Sequence, residues 1–341
     1  MRTTTVADTP YLMQEITTKL PVRPVSAIRN FLAKETAGGL VLMGVAAAAI
    51  AEAITAQWLH DRRRLHCLEA EVYCKATEHI PQQIALARRL EERGFTYEIE
   101  DGLYFDTAKF PRYAEFARLD LAGQEAGARI GDVAGKRNPQ DFALWKFAPA
   151  GVRRQQEWDS PWGRGFPGWH LECSAMSMKY LGPTLDIHTG GEDNIFPHHE
   201  CEIAQSEGAT GQTFVRYWMH TRFLLVDGRK MSKSLGNFYT LRDLQEKGFN
   251  DLAIRYLLIS NNYRQPLNFT FDAVQASHEA LTRMRDFVMR MDEAQGEGSD
   301  PQVARIVAAA EEGFVHALDD DLNMSRALGA IFDFMRDINK L

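Results

Sequence analysis

His198 and Glu202 stand four residues apart in PHHECEIAQSE. On a helix, positions i and i+4 share a face, so both side chains can reach one ion. Pro197 favours a helix start at this point. Cys173, in GWHLECSAMSM, comes from a separate segment and could join them. Sulfur, nitrogen and carboxylate oxygen together suit Zn²⁺, which binds such mixed sets tetrahedrally and, at catalytic sites, keeps a position open. A substrate thiolate could fill that position. The same spacing also fits a surface His–Glu pair beside a buried cysteine. His199 and Cys201, the latter three residues after His198, are alternative ligands.

A second pattern is Lys230-Met231-Ser232-Lys233-Ser234, following LLVDG. LLVDG reads as a strand and turn that delivers Lys230 and Lys233 onto a Ser- and Gly-containing loop. Two lysines so placed can neutralise phosphate charge that develops as pyrophosphate leaves. A solvated basic turn is the plainer account, but the full string through LGN is far more specific than K-x-x-K. In HTGGED (188–193), Gly190 and Gly191 would let backbone approach a nucleotide, and Asp193 could accept ribose hydroxyls; a glycine turn explains them too. Trp169 and His170 precede Cys173 and would wall a small pocket or pack in a core. Cys67 and Cys74 lie in no motif and read as structural.

The elements that must hold these residues begin at Thr77. It is the expected cap of a helix with Ile80, Ile84, Ala87 and Leu90 on one face and Gly94 at its end. FTYEIEDGLYFD alternates apolar and polar residues around Asp101-Gly102, a hairpin signal. Residues 115–168, with scattered Gly, Pro and Trp, read as an inserted or connecting module rather than a sheet core. From Asp251 the texture is helical: DLAIRYLLIS, ALTRMRDFVMRM and VARIVAAAEEGFVHAL, with GEGSD (296–300) a loop. The plan is a mixed α/β half followed by a helical half.

The length of 341 residues accommodates two domains with proper cores. A net charge of −7 excludes a uniformly basic surface, though not a local basic patch for nucleic acid. Four cysteines in this length are not a secreted disulfide scaffold; reactive or metal-bound thiols in a reducing cytosol fit better. Residues 1–60 differ from the rest. An uncharged run, Thr36 to Ala51, is 16 residues long, short of the ~20 a membrane span needs. Positive residues lie on both sides of it, and it starts too late for a signal peptide. A buried or interfacial Ala-rich helix is the leading reading and membrane association the lesser one.

Taken together, residues from about Cys67 to the end resemble cysteinyl-tRNA synthetase, a class I aminoacyl-tRNA synthetase. The resemblance rests on ATEHI (76–80), KRNPQDFALWK (136–146), SPWGRGFPGWHLECSAM (160–176), FPHHECE (196–202), YWMH (217–220), KMSKSLGNF (230–238) and LDDDLNMSRAL (318–328). It implies an α/β, Rossmann-like class I catalytic core with a connective insertion over 61–250, then a helical tRNA-binding domain over 251–341. It implies ATP with Mg²⁺ and cysteine as substrates, tRNA(Cys) as partner, one Zn²⁺ and a cytoplasmic location; the oligomeric state is left open, with a monomer favoured. By resemblance Cys173, His198 and Glu202 fall on three of four zinc ligands, and Lys233 on the ATP-contacting lysine with Lys230 beside it. Trp169, His188 and Asp193 fall where the cysteine and ATP pocket is lined.

The departures are serious. No cysteine precedes Cys67 to give the fourth ligand, and no His-x-Gly-His occurs anywhere. The reading is of a catalytic core incomplete at its N-terminus, with a leader over 1–60, and of a helical domain cut short at Leu341. A parallel sheet lacking its first strand is expected to expose an edge and part of its core. Low or absent aminoacylation is the matching expectation. The segment at ~22–54 in turn resembles the first helix of NhaA-type sodium/proton antiporters, without any ion-site acidic residues. Enzymes joining cysteine to an amino-sugar share the zinc logic but not the helical sequence after Asp251.

Overall fold

The computed structural model describes residues 37–119, 133–149, 151, 156–294 and 300–341, with backbone alone over 37–48. Residues 1–36 of the expected leader, and 296–299 of the expected GEGSD loop, lie outside them. The chain divides into two compact units after Asp61. The described part of the first is helical: α1 spans Ala37–Arg64 and runs on into the second unit. Its alanine-rich composition favours helix, and Arg62, Arg63 and Arg64 sit where the helix dipole is negative. Among the described residues no helix is long and apolar enough to cross a membrane.

In the second unit, α2 (Ile80–Glu92) buries Ile80, Ala87 and Leu90, as the periodicity predicts. Its cap is not Thr77. Ala76–Glu78 forms a separate 3-10 turn, and the chain enters α2 at His79. The His79 ring holds this entry, with Nδ1 2.7 Å from the Lys75 carbonyl and Nε2 2.8 Å from the Tyr180 hydroxyl. That long-range bond, invisible locally, outcompetes a Thr cap.

Strands β1 (Thr96–Ile99) and β2 (Gly102–Phe105) form the expected hairpin, with Ile99 opposite Gly102 across Glu100-Asp101. The segment expected to be a connecting module instead supplies β3 (Phe142–Phe147) and β4 (Gly165–Pro167), which complete an antiparallel sheet in the order β1-β2-β3-β4. Leu144 and Trp145 of β3 are fully buried. A strand covered on both faces loses the alternation that marks a half-exposed one. Gly102 is required by this sheet, because a Cβ there would collide with the Trp145 carbonyl oxygen.

Helix α3 (Trp169–Leu181) leads to β5 (Leu185–Gly191), α4 (Glu200–Thr210) and β6 (Val215–Thr221). β5 and β6 are parallel and joined through α4. Ile187 and Tyr217, opposite one another on this pair, are exposed. Next come β7 (Leu224–Val226), β8 (Arg229–Lys230) and α5 (Leu241–Glu246). β7 is antiparallel to β8 and parallel to β9 (Leu267–Phe269). The helical texture from Asp251 resolves into α6 (Asp251–Ser260), α7 (Phe271–Glu293), α8 (Pro301–Asp319) and α9 (Met324–Ile338). Val226, Ile254, Leu257, Phe269 and Val274 form the core beneath β7 and β9.

Candidate active site

Two helices carry the candidate ligands, and a buried polar clamp sets their spacing. Ser174 on α3 accepts from Gln205 Nε2 at 2.7 Å and from Ser206 Oγ at 2.9 Å, both on α4. Gln205 Nε2 also donates to the His170 carbonyl. All three clamp side chains are fully buried. One residue before the clamp on α3 stands Cys173; on α4, three before Gln205, stands Glu202. The chain reaches α4 through an irregular turn, Ile195–His199, in which Phe196 is extended and the Phe196–Pro197 peptide is cis. The regular helix therefore begins at Glu200 rather than at Pro197. His199 is already αR, so His198 and Glu202 keep their shared face.

Ligand atoms of Cys173, His198 and Glu202 all lie within 4.8 Å of one another. So do those of His188, His199 and Glu202. Glu202, the shared member, has no exposed surface. Its Oε2 is 2.8 Å from His188 Nε2. Its Oε1 faces His198 Nε2 at 3.8 Å and has no hydrogen-bond partner. Burial raises the carboxyl above its ordinary value, against the lowering effect of the His188 contact. An unpartnered buried acceptor costs roughly 1–3 kcal/mol, which a cation at Oε1 would offset. The donor set and this orphaned oxygen fit a zinc ion.

The histidines are arranged to be neutral. Burial, then the charge of His188, pushes His198 down to about 4. Burial, then His198, pushes His170 down to about 3. His199 falls to about 3, through burial and the charges of His188, His220 and His198. His198 Nδ1 is 2.8 Å from His170 Nδ1, and Trp169 stacks on the His198 ring at 3.9 Å. With Nδ1–H donated to His170, Nε2 presents its lone pair beside Glu202, the arrangement that orients a metal-binding imidazole. Cys173 is pushed up to about 12 by burial and by the charges of Glu202, Glu172 and Cys74. A bound cation reverses that order and takes the thiolate.

Several expected roles shift. Cys201 is fully buried with its Sγ 3.4 Å from the Tyr113 hydroxyl, so it is no ligand here. His199 belongs to the second cluster, where Nδ1 meets His220 Nε2 at 2.8 Å. A Cβ on Gly190 would sit 2.6 Å from His199 Cε1, so this glycine is needed to seat that ring, whatever else approaches it. Gly191 faces Asp193 Oδ1 in the same way, and Asp193 is exposed. His188 is bound to Glu202, while Trp169 is 58% exposed. Cys67 and Cys74, read as structural from sequence, are both exposed. Spacing alone does not reveal the ring contacts of His170 and His220 or the Ser174–Gln205–Ser206 clamp; each residue lies within a quoted motif or two to eight residues from a candidate ligand, but only packing shows its role.

Lys230 ends β8, and Lys233 opens a 3-10 turn, Lys233–Leu235. The β7–β8 turn has Asp227 and Gly228 at positive φ, which suits a tight two-residue hairpin. Asn237 staples the loop: Oδ1 accepts from Ser232 N at 2.9 Å, and Nδ2 donates to the Lys230 carbonyl at 3.1 Å. Both lysines are exposed, and no carboxylate among the described residues pairs with either. Glu192, in HTGGED, ties that segment to the approach to β7 by accepting from Phe223 N at 3.0 Å and pairing with Arg222.

Residues 39–279 match the family described as tRNA synthetases class I (C) catalytic domain, and residues 313–341 match the DALR domain. The first match opens inside α1, before the Cys67 limit suggested by the motifs. The chain is 47% identical over 294 residues to cysteine–tRNA ligase 1 of Burkholderia lata, covering 86% of this chain and 60% of that protein. Against cysteine–tRNA ligase of Thermococcus onnurineus it is 43% identical over 304 residues, covering 85% and 62%. The chain thus spans about 60% of the length of these relatives. Among solved structures, methionyl-tRNA synthetase of Mycobacterium tuberculosis with methionyl-adenylate superposes with a TM-score of 0.60 at 16% identity, over 89% of this chain and 73% of that one. This likeness is one of fold: a class I catalytic domain with a helical C-terminal part.

Proposed function

The chain belongs to the cysteinyl-tRNA synthetase family of class I, and from that premise we propose that it acts as a cysteine–tRNA ligase. In this reading it activates cysteine with ATP and Mg²⁺, releasing pyrophosphate, and passes the cysteinyl group to the 3′ end of tRNA(Cys). The observation that carries it is the Cys173–His198–Glu202 cluster with its unpartnered Glu202 oxygen. Those three residues would hold zinc. The bound metal supplies a soft Lewis acid that a cysteine thiol can ligate and a serine hydroxyl cannot match, which is how the site separates two similar side chains.

The remaining work falls to the chain's own groups. His188 fixes one oxygen of Glu202 and so turns the other toward His198. Trp169 holds the His198 ring in plane and leaves its outer face for the substrate. Lys230 and Lys233, unpaired on a stapled loop, would neutralise the phosphates as the α-phosphate is attacked and pyrophosphate departs. Gly190, Gly191 and Asp193 would lie along the nucleotide. Residues 61–250 serve as the catalytic part and 251–341 as the helical tRNA-binding part, in a cytoplasmic monomer.

The test is cysteine-dependent ATP–pyrophosphate exchange, with metal content measured on the same preparation. No exchange at saturating ATP, cysteine and zinc defeats the catalytic reading. A second reading, binding of tRNA or zinc without adenylate formation, starts from the paired and exposed Ile187 and Tyr217, which leave one face of the β5–β6 pair uncovered among the described residues. It expects tRNA binding that weakens with added salt, and no exchange.

A further inference from the structure

We propose that the groove between α2 and α3 binds a nucleoside diphosphate, with the base against its apolar floor near Gln82 and the phosphates among Arg89, Arg93 and Lys179. The groove is separate from the metal cluster, and the proposal does not rest on the ligase reading. Its volume is about 460 Å³, within the range of small-ligand pockets. Leu86, buried, and Met178, half-buried, give it an apolar floor. Met178 and Lys179 follow Cys173 by five and six residues, which puts them on the far side of α3 from that thiol. Pro183 and Gln212, also in the wall, precede β5 and β6, whereas Gly190, Gly191 and Asp193 lie at or beyond the other end of β5.

Two features of the groove are left unanswered within the chain. The first is charge. No carboxylate is among the lining residues, and among the described residues none pairs with Arg89, Arg93 or Lys179. Lys179 Nζ stands 5.2 Å from the Tyr180 ring centroid, a contact that leaves its charge unneutralised. Arg93 joins the other two: a Cβ on Gly211 would stand 3.7 Å from an Arg93 terminal nitrogen, beside Thr210 and Gln212 of the wall. α2, α3 and α4 all end here, at Glu92, Leu181 and Thr210. Each C-terminus is equivalent to about half a negative charge, so the three together offset only about half of the three cations. A multiply charged anion answers the remainder. The second feature is Gln82 Oε1, which is buried and has no hydrogen-bond partner. Rotation of the carboxamide brings it to a donor in the groove. Gln82 and Arg89 share a helical stripe seven residues apart, about 10 Å along the axis, with Arg93 one turn beyond. An inorganic phosphate or a lone carboxylate cannot reach both ends. A nucleotide carries N–H donors on its base at one end and its charge at the other.

The test is titration calorimetry of the whole chain with GDP, which is not the nucleotide of the activation reaction. GDP should bind saturably at one site. Arg89→Ala and Lys179→Ala should each weaken it about tenfold, as a charge-assisted bond is lost. Lys233→Ala, in the lysine loop, should leave it unchanged. Pyrophosphate, the charged half alone, should bind about tenfold more weakly than GDP, and Gln82→Leu should narrow that gap without altering pyrophosphate affinity. Arg89 and Lys179 are exposed and Gln82 is half-buried, and an unchanged thermal unfolding midpoint shows that each variant is folded. Absence of saturable GDP binding overturns the proposal. So does binding that is lost in Lys233→Ala and kept in both groove variants, which assigns it to the ATP pocket. Equal affinity for pyrophosphate and GDP overturns the nucleotide assignment. None of these readouts uses cysteine, zinc or pyrophosphate exchange, so failure here leaves the ligase reading standing, and failure of that reading leaves this one.

Discussion

Replacing Glu202 by glutamine separates what the site needs from what the fold needs. In the metal-free protein Glu202 is fully buried, and burial holds its carboxyl above the ordinary glutamate range. A group whose folded pKa is raised contributes its stability below the unfolded value and loses it as pH rises through the folded value. At pH 7.5 the metal-free wild type is therefore on the penalised side. A glutamine at this position can still accept from His188 through its carbonyl oxygen. Its amide then faces His198 Nε2, the atom 3.8 Å from the unpartnered oxygen. Removing one unsatisfied buried acceptor should stabilise the metal-free protein by about 1–3 kcal/mol.

The metal reverses the ranking. Zinc at a hundred times its dissociation constant should stabilise the wild type by about 2.7 kcal/mol, and Glu202→Gln should lose most of that gain with its ionic donor. The assay is urea unfolding followed by tryptophan fluorescence, in EDTA and in buffered zinc, between pH 5 and pH 8. In EDTA the advantage of Glu202→Gln should shrink as pH falls toward the ordinary glutamate range. A variant that is less stable than wild type in EDTA at pH 7.5, or that gains as much from zinc, would refute the reasoning.

Other outcomes follow from the same geometry. Ser174→Ala removes the acceptor shared by Gln205 and Ser206, and should cost about 1–2 kcal/mol in urea unfolding and loosen zinc binding measured by competition with a chelator. Asp141 is desolvated, but donors on Tyr97, Thr107 and Asn138 outweigh this and hold its carboxyl below the usual range. Its contribution is present above the ordinary aspartate value and is lost as pH falls through the folded one. Asp141→Asn should cost about 3 kcal/mol at pH 7, with the difference from wild type closing in acid. Lys233→Ala should slow pyrophosphate exchange by about 10²–10³-fold while metal content stays unchanged.

How far these residues could be read in advance depended on the range of the interaction. The i, i+4 spacing of His198 and Glu202 survives an irregular entry into α4, because one αR residue at His199 is enough to keep two side chains on one face. The β1–β2 hairpin and the helices from Asp251 were legible because alternation and helical periodicity are local. The β3 strand was not: its burial on both faces erased the pattern, and its partners lie some forty residues earlier and twenty later in the chain. Thr77 failed as a cap because His79 found Tyr180, about a hundred residues away.

The sequence by itself determined the family, the donor types and the lysine loop, since motifs of fixed spacing survive in any context. Only the tertiary structure decided which donors meet. It placed His188 on one oxygen of Glu202, left the other without a partner and buried Cys201 behind Tyr113. Each of these depends on how separate segments pack, which sets burial and distance, and spacing along the chain carries neither.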